Sequence, residues 1–97
     1  MKRLSNKEIL NELSLLNDWV LNDNQITKVY KLNSFMEVMS LANLVSDKSE
    51  QIDHHPKMII DFNQIEFLIT THSEGGITKL DFILASFIEE TYNELFS

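Results

Sequence analysis

The chain has 97 residues, 43% hydrophobic and 24% charged, with only two glycines and one proline. That is one domain's worth of chain with enough apolar side chains for a core, and it excludes disordered, fibrous and low-complexity classes. A formal charge of −7 argues against direct nucleic-acid binding, which needs a basic footprint, and the lack of cysteine removes disulfides, thiolate metal sites and cysteine nucleophiles.

The same negative charge disfavours docking on an anionic membrane, and no apolar run approaches the ~20 residues of a transmembrane helix. Polar Ser5, Asn6, Lys7 and Glu8 follow the basic start, so no signal-peptide core is expected. The expectation is a cytoplasmic protein with a single domain over residues 1–97.

The first helix is predicted to start at Ser5, which forms a capping box with Glu8 three residues on. Ile9, Leu10, Leu13 and Leu16 continue at helical spacing until Asn17-Asp18. Trp19 to Leu21 and Gln25 to Leu32 read as two strands of a hairpin around Asn22-Asp23-Asn24, residues that favour turns. Trp19 and Tyr30 are expected in the core or at an interface rather than stacked on a ligand. A second helix begins at Asn33-Ser34, carries Phe35, Val38, Met39, Ala42 and Val45 as its stripe, and fades in the polar stretch from Ser46 to Gln51. Met58 to Phe62 and Ile65 to Thr71 read as strands around Asn63-Gln64. Gly75-Gly76 breaks the chain, and Thr78, with Asp81 three residues later, opens the last helix. Both strand pairs have connections too short for a parallel crossover. The fold expected is therefore α+β, a four-stranded antiparallel sheet with three helices packed on one face, in the order α-β-β-α-β-β-α.

All three histidines fall near the second hairpin: His54, His55 and His72. With Asn63-Gln64 as a two-residue loop, Phe62 faces Ile65, Ile60 faces Phe67, Met58 faces Ile69, Asp61 faces Glu66 and His55 faces His72. Alternation then puts Met58, Ile60 and Phe62 on the core face and His55 with His72 on the other. Imidazoles titrate near ~6.5, so a pair in one cleft can take and give protons without a metal. Glu50, Asp53 and Glu74 are close enough in sequence to orient the rings. Solvated loop histidines and a three-histidine metal site are the alternatives that spacing leaves open.

The combination Glu50-Gln51-Ile52-Asp53-His54-His55-Pro56, Thr71-His72, Gly76-Ile77-Thr78 with Asp81, and Leu84 to Glu89 resembles the pterin-4a-carbinolamine dehydratases. Trp19 and the helix from Phe35 to Val45 extend the resemblance over nearly the whole chain. It implies dehydration of 4a-hydroxytetrahydropterin to quinonoid dihydropterin, with no metal and no cofactor besides the pterin substrate. It places His54 and His72 on the general acid/base histidines and His55 on the substrate-binding histidine, so that all three are expected in the catalytic set. Glu50, Asp53, Pro56, Thr71, Ser73 and Glu74 fall on substrate-contact segments. Met58 and Leu80 stand where the family often has an aromatic and a basic residue. Asp81 is read as the cap partner of Thr78. A homodimer or homotetramer is expected, because the helix-free sheet face carries Ile59 and Leu68. The alternative reading is a non-catalytic dimerisation or binding partner on the same fold.

Overall fold

The computed structural model describes residues 2–97. Its elements are α1 (Asn6–Leu13), β1 (Val20–Asn22), β2 (Gln25–Lys31), α2 (Phe35–Ile52), β3 (Lys57–Asp61), β4 (Gln64–Ile69), a 3₁₀ turn (His72–Glu74) and α3 (Lys79–Leu95). The strands form one antiparallel sheet in the order β1-β2-β4-β3. Among the described residues no helix is long and apolar enough to cross a membrane.

The helix starts follow local chemistry. Ser5 and Glu8 exchange side-chain and backbone hydrogen bonds, as do Thr78 and Asp81. Ser34 accepts from the Glu37 amide, while the Glu37 carboxylate reaches back to the Asn33 amide. Helix α1 is shorter than its apolar spacing predicts and stops at Leu13. Helix α2 is longer than predicted and runs through the polar stretch to Ile52. The hydroxyls of Ser46 and Ser49 donate to the carbonyls of Ala42 and Val45, each at 2.8 Å, so polar side chains are satisfied along the helix itself.

Strand alternation decides the core. Ile26 and Tyr30 on β2 and Ile65, Phe67 and Ile69 on β4 point to the helices and are buried. Val38, Leu41 and Val45 of α2 and Leu84 and Ile88 of α3 complete the layer. Each such side chain contributes about 1.5–3 kcal/mol by leaving water. Trp19 precedes β1 and is buried, donating its Nε1–H to the Tyr30 hydroxyl at 3.1 Å.

The second hairpin departs from the predicted register by two residues. Phe62 and Asn63 form the loop, so Lys57 pairs with Leu68, Met58 with Phe67, Ile59 with Glu66, Ile60 with Ile65 and Asp61 with Gln64. The predicted pairs Phe62–Ile65, Ile60–Phe67, Met58–Ile69, Asp61–Glu66 and His55–His72 are therefore not formed. The shift removes the like-charge apposition of Asp61 and Glu66. It also leaves Phe62 exposed in the loop, in the left-handed region at φ 50°, rather than on the core face. Because the slip is two residues and not one, each remaining strand residue keeps its face. Lys57 and Leu68 still point away from the helices, as does Gln25 of β2.

Candidate active site

The left-handed cap of α2 separates the two adjacent histidines. Asp53 takes φ 51° and ψ 48°, and the His54 amide returns to the Ser49 carbonyl at 3.0 Å. The chain reverses there, so His54 turns inward and is buried while His55 stays exposed.

Buried His54 meets the start of α3. Its Nε2 lies 2.6 Å from Oδ1 of Asp81, a carboxylate with no exposed surface. The other Asp81 oxygen accepts from the Thr71 hydroxyl and the Thr78 amide, both at 2.8 Å. Thr71 spends its proton on Asp81, so the Thr78 hydroxyl donates to Thr71 Oγ1 across 2.9 Å while accepting from the Leu80 amide. A carboxylate surrounded by donors acts only as an acceptor, which assigns the Nε2 proton to His54. Nδ1 is then the ring nitrogen that faces away from Asp81. Among the described residues it makes no hydrogen bond, and no buried side-chain nitrogen or oxygen there lacks a partner. Nδ1 is therefore reached by solvent.

His55 leans on α2: its Nε2 lies 2.5 Å from the Glu50 carboxylate, with both side chains exposed. His72 begins the 3₁₀ turn that follows β4, and its carbonyl accepts from the Gly75 amide at 3.0 Å. Gly75 closes that turn at φ 70°, a conformation glycine adopts without steric cost, and Thr71 bridges to Gly76.

His55 and His72 face one cleft of about 420 Å³ at the end of the helix-free sheet face. Leu68 and Thr70 of the β4 segment and Lys57 of β3 line it. Asp23, Asn24 and Gln25 of the β1–β2 turn and Gly75 and Gly76 complete the wall. That volume lies in the range of small-molecule sites.

The predicted site residues divide by place. His55 and His72 share the cleft without being cross-strand partners, and His54 stands buried on Asp81. Glu50 holds His55 and, with Pro56, Met58 and Ser46, lines a second cavity that His55 also borders. Asp53 is an exposed helix cap. Thr71 is buried and committed to Asp81. Ser73 and Glu74 are exposed on the 3₁₀ turn outside the cleft lining. Asp81 caps α3 as expected, and its bond to His54 is an addition that local spacing could not show. The lining residues of the β1–β2 turn also escaped the sequence reading, since only the sheet order brings that turn to the histidines. Among the described residues no group of three or more His, Cys, Asp or Glu side chains is placed to hold a metal ion.

Residues 2–91 match the family model described as pterin 4 alpha carbinolamine dehydratase. A protein of Sulfurisphaera tokodaii is 39% identical over 90 residues, 93% of this chain and 97% of its own length. One from Chloroflexus aurantiacus is 37% identical over the same shares. Both carry the provisional name of pterin-4-alpha-carbinolamine dehydratase. The crystal structure of a Brucella melitensis protein described as a transcriptional coactivator/pterin dehydratase superposes with a TM-score of 0.89 at 28% identity. It covers 92% of this chain and 97% of that one.

Proposed function

Since this chain belongs to the pterin 4 alpha carbinolamine dehydratase family, we propose that it dehydrates pterin-4a-carbinolamine to quinonoid dihydropterin by histidine acid/base catalysis. The observation that carries this reading is the fixed tautomer of His54. A buried carboxylate holds the Nε2 proton, orients the ring and stabilises the imidazolium that forms when Nδ1 takes a proton. His72, whose ring has no hydrogen-bond partner among the described residues, supplies the second acid/base group. His55, braced by Glu50, binds the substrate.

The reaction makes modest demands. The carbinolamine carries a hydroxyl on C4a beside the N5–H. One imidazole takes the N5 proton, the nitrogen lone pair forms the C4a=N5 bond, and the C4a–O bond breaks. The other imidazole protonates the departing hydroxyl, which leaves as water. No electrons are exchanged and no cofactor beyond the pterin is needed. Each positioned acid or base is worth ~10²–10⁴-fold.

The proposed role is the return of spent tetrahydropterin to its cycle in the cytoplasm. The proposed assembly is a homodimer or homotetramer, for which exposed Val20, Val29 and Ile59 offer apolar surface on the open sheet face. The test is direct. Purified protein added to chemically generated 4a-hydroxytetrahydropterin should accelerate the ultraviolet change of dehydration in proportion to enzyme. A rate equal to the uncatalysed one would overturn the reading.

A further inference from the structure

The cleft has a wall that comes from neither histidine-bearing segment. The β1–β2 turn contributes Asp23, Asn24 and Gln25 to its lining. Asn24 donates from Nδ2 to the Gly75 carbonyl at 2.7 Å, and Arg3 reaches the same carbonyl at 3.4 Å. The turn is thereby tied to the loop that follows His72, and the two sides of the cleft are held at a fixed separation. Asp23 occupies the left-handed region at φ 57°. It is the one carboxylate lining the cleft, and it forms no side-chain hydrogen bond or ion pair among the described residues.

We infer that Asp23 reads the aminopyrimidinone edge of the pterin and is a specificity-determining residue of this site. The inference rests on the pterin reading above and deepens it. The edge presents two parallel donors, the ring N3–H and the 2-amino group. A carboxylate accepts both at once, in the bidentate geometry by which it accepts from guanidinium. The remaining lining is suited to the rest of the molecule. Leu68 offers apolar surface to the flat ring, and Lys57 is a donor for the pterin carbonyl. His55 and His72 lie on the same cleft as Asp23. A heterocycle gripped by Asp23 at its pyrimidine end presents its other ring, the one that reacts, to the imidazoles. Asp23 touches substrate away from the reacting atoms, so its contribution is the same in ground and transition states. It should appear in KM rather than kcat.

The test is equilibrium binding of 7,8-dihydropterin and of its 2-oxo analogue, in which the 2-amino donor is replaced by an acceptor, to the full chain and to Asp23→Asn. Asparagine tolerates the left-handed turn, so this variant keeps the fold, and an unchanged melting temperature verifies it. Wild type should bind the 2-amino compound at least ~10-fold more tightly than the 2-oxo analogue. Asp23→Asn should lose at least ~10-fold for the 2-amino compound and bring the two ligands within ~3-fold of each other, with kcat preserved. Equal binding of 7,8-dihydropterin by wild type and variant would overturn the assignment of Asp23 and leave the dehydratase reading standing. Failure of wild type to bind either ligand would overturn both.

Discussion

Asp81 and His54, 27 residues apart in sequence, share a 2.6 Å hydrogen bond in the interior of the protein. The same carboxylate caps α3 and holds Thr71, so one residue fixes a helix start, the segment leading to His72 and the tautomer of His54. Asp81→Asn replaces an acceptor-only group with an amide that must turn donors toward some of these partners. We expect kcat to fall by ~10²-fold with KM little changed, because a positioning residue acts through His54 and not on the substrate. Stability should fall by about 1–3 kcal/mol. Steady-state kinetics beside chemical denaturation separates the two effects. A variant that loses stability while keeping wild-type kcat would show Asp81 to be structural only.

Glu50 and His55 form the contrasting pair, exposed on both sides. Solvent screens such a contact, so Glu50→Gln should change stability by no more than ~1 kcal/mol. Its effect belongs in KM, which should rise several-fold as His55 loses its brace, with kcat nearly constant. A large fall in kcat would move Glu50 from substrate binding to the chemical step.

The core holds a second polar network away from the cleft. Glu89 accepts from Lys28 at 2.8 Å and from the Tyr30 hydroxyl, which itself accepts from Trp19. Burial raises the Glu89 carboxyl, but hydrogen bonds from Lys28 and Tyr30 and the lysine's charge outweigh it and leave it below the ordinary carboxylate range. Burial, followed by the bond to Glu89, pushes the Tyr30 hydroxyl above its ordinary value. Depression of Glu89 means that its contribution to stability is complete above the unfolded value of about 4.3 and is lost as pH falls through the folded one. Tyr30 works in the opposite sense: its contribution is intact below about pH 10 and declines above it. Denaturation curves from pH 3 to 11 should show both limbs, and Glu89→Gln should flatten the acid limb. An unchanged acid limb in that variant would remove Glu89 as its cause.

Much of the architecture was legible because its signals are local. The Ser5–Glu8 and Thr78–Asp81 capping boxes and the Asp23-Asn24 turn each lie within a few residues and need no tertiary partner. The register of the second hairpin was hidden because it depends on Phe62 adopting φ 50°, a choice no bulky residue makes by preference. The length of α2 was hidden because the Ser46 and Ser49 hydroxyls bond the helix's own carbonyls, so a polar run that reads as a loop is helical. For the site, spacing placed the three histidines near the second hairpin, but the cross-strand pairing of His55 with His72 rested on a register the hairpin does not adopt. The burial of His54 and the Asp81 bond were not legible, since they require α2 and α3 to be packed first.

Phe62 offers a test of that register. Its side chain is 69% exposed, so it contributes little burial, while its left-handed backbone carries strain. Phe62→Asn should raise stability by about 0.5–1 kcal/mol, against the usual cost of removing an aromatic residue. A loss of 3 kcal/mol or more, on the order of a core phenylalanine truncation, would place Phe62 on the core face and restore the other register.

The most direct measurement is the dehydration rate of 4a-hydroxytetrahydropterin with His54→Ala, His72→Ala and the double variant, each verified as folded. Each single substitution should lower kcat at least ~10-fold, and the double variant should approach the uncatalysed rate. Wild-type rates in both single variants would contradict acid/base catalysis by these imidazoles.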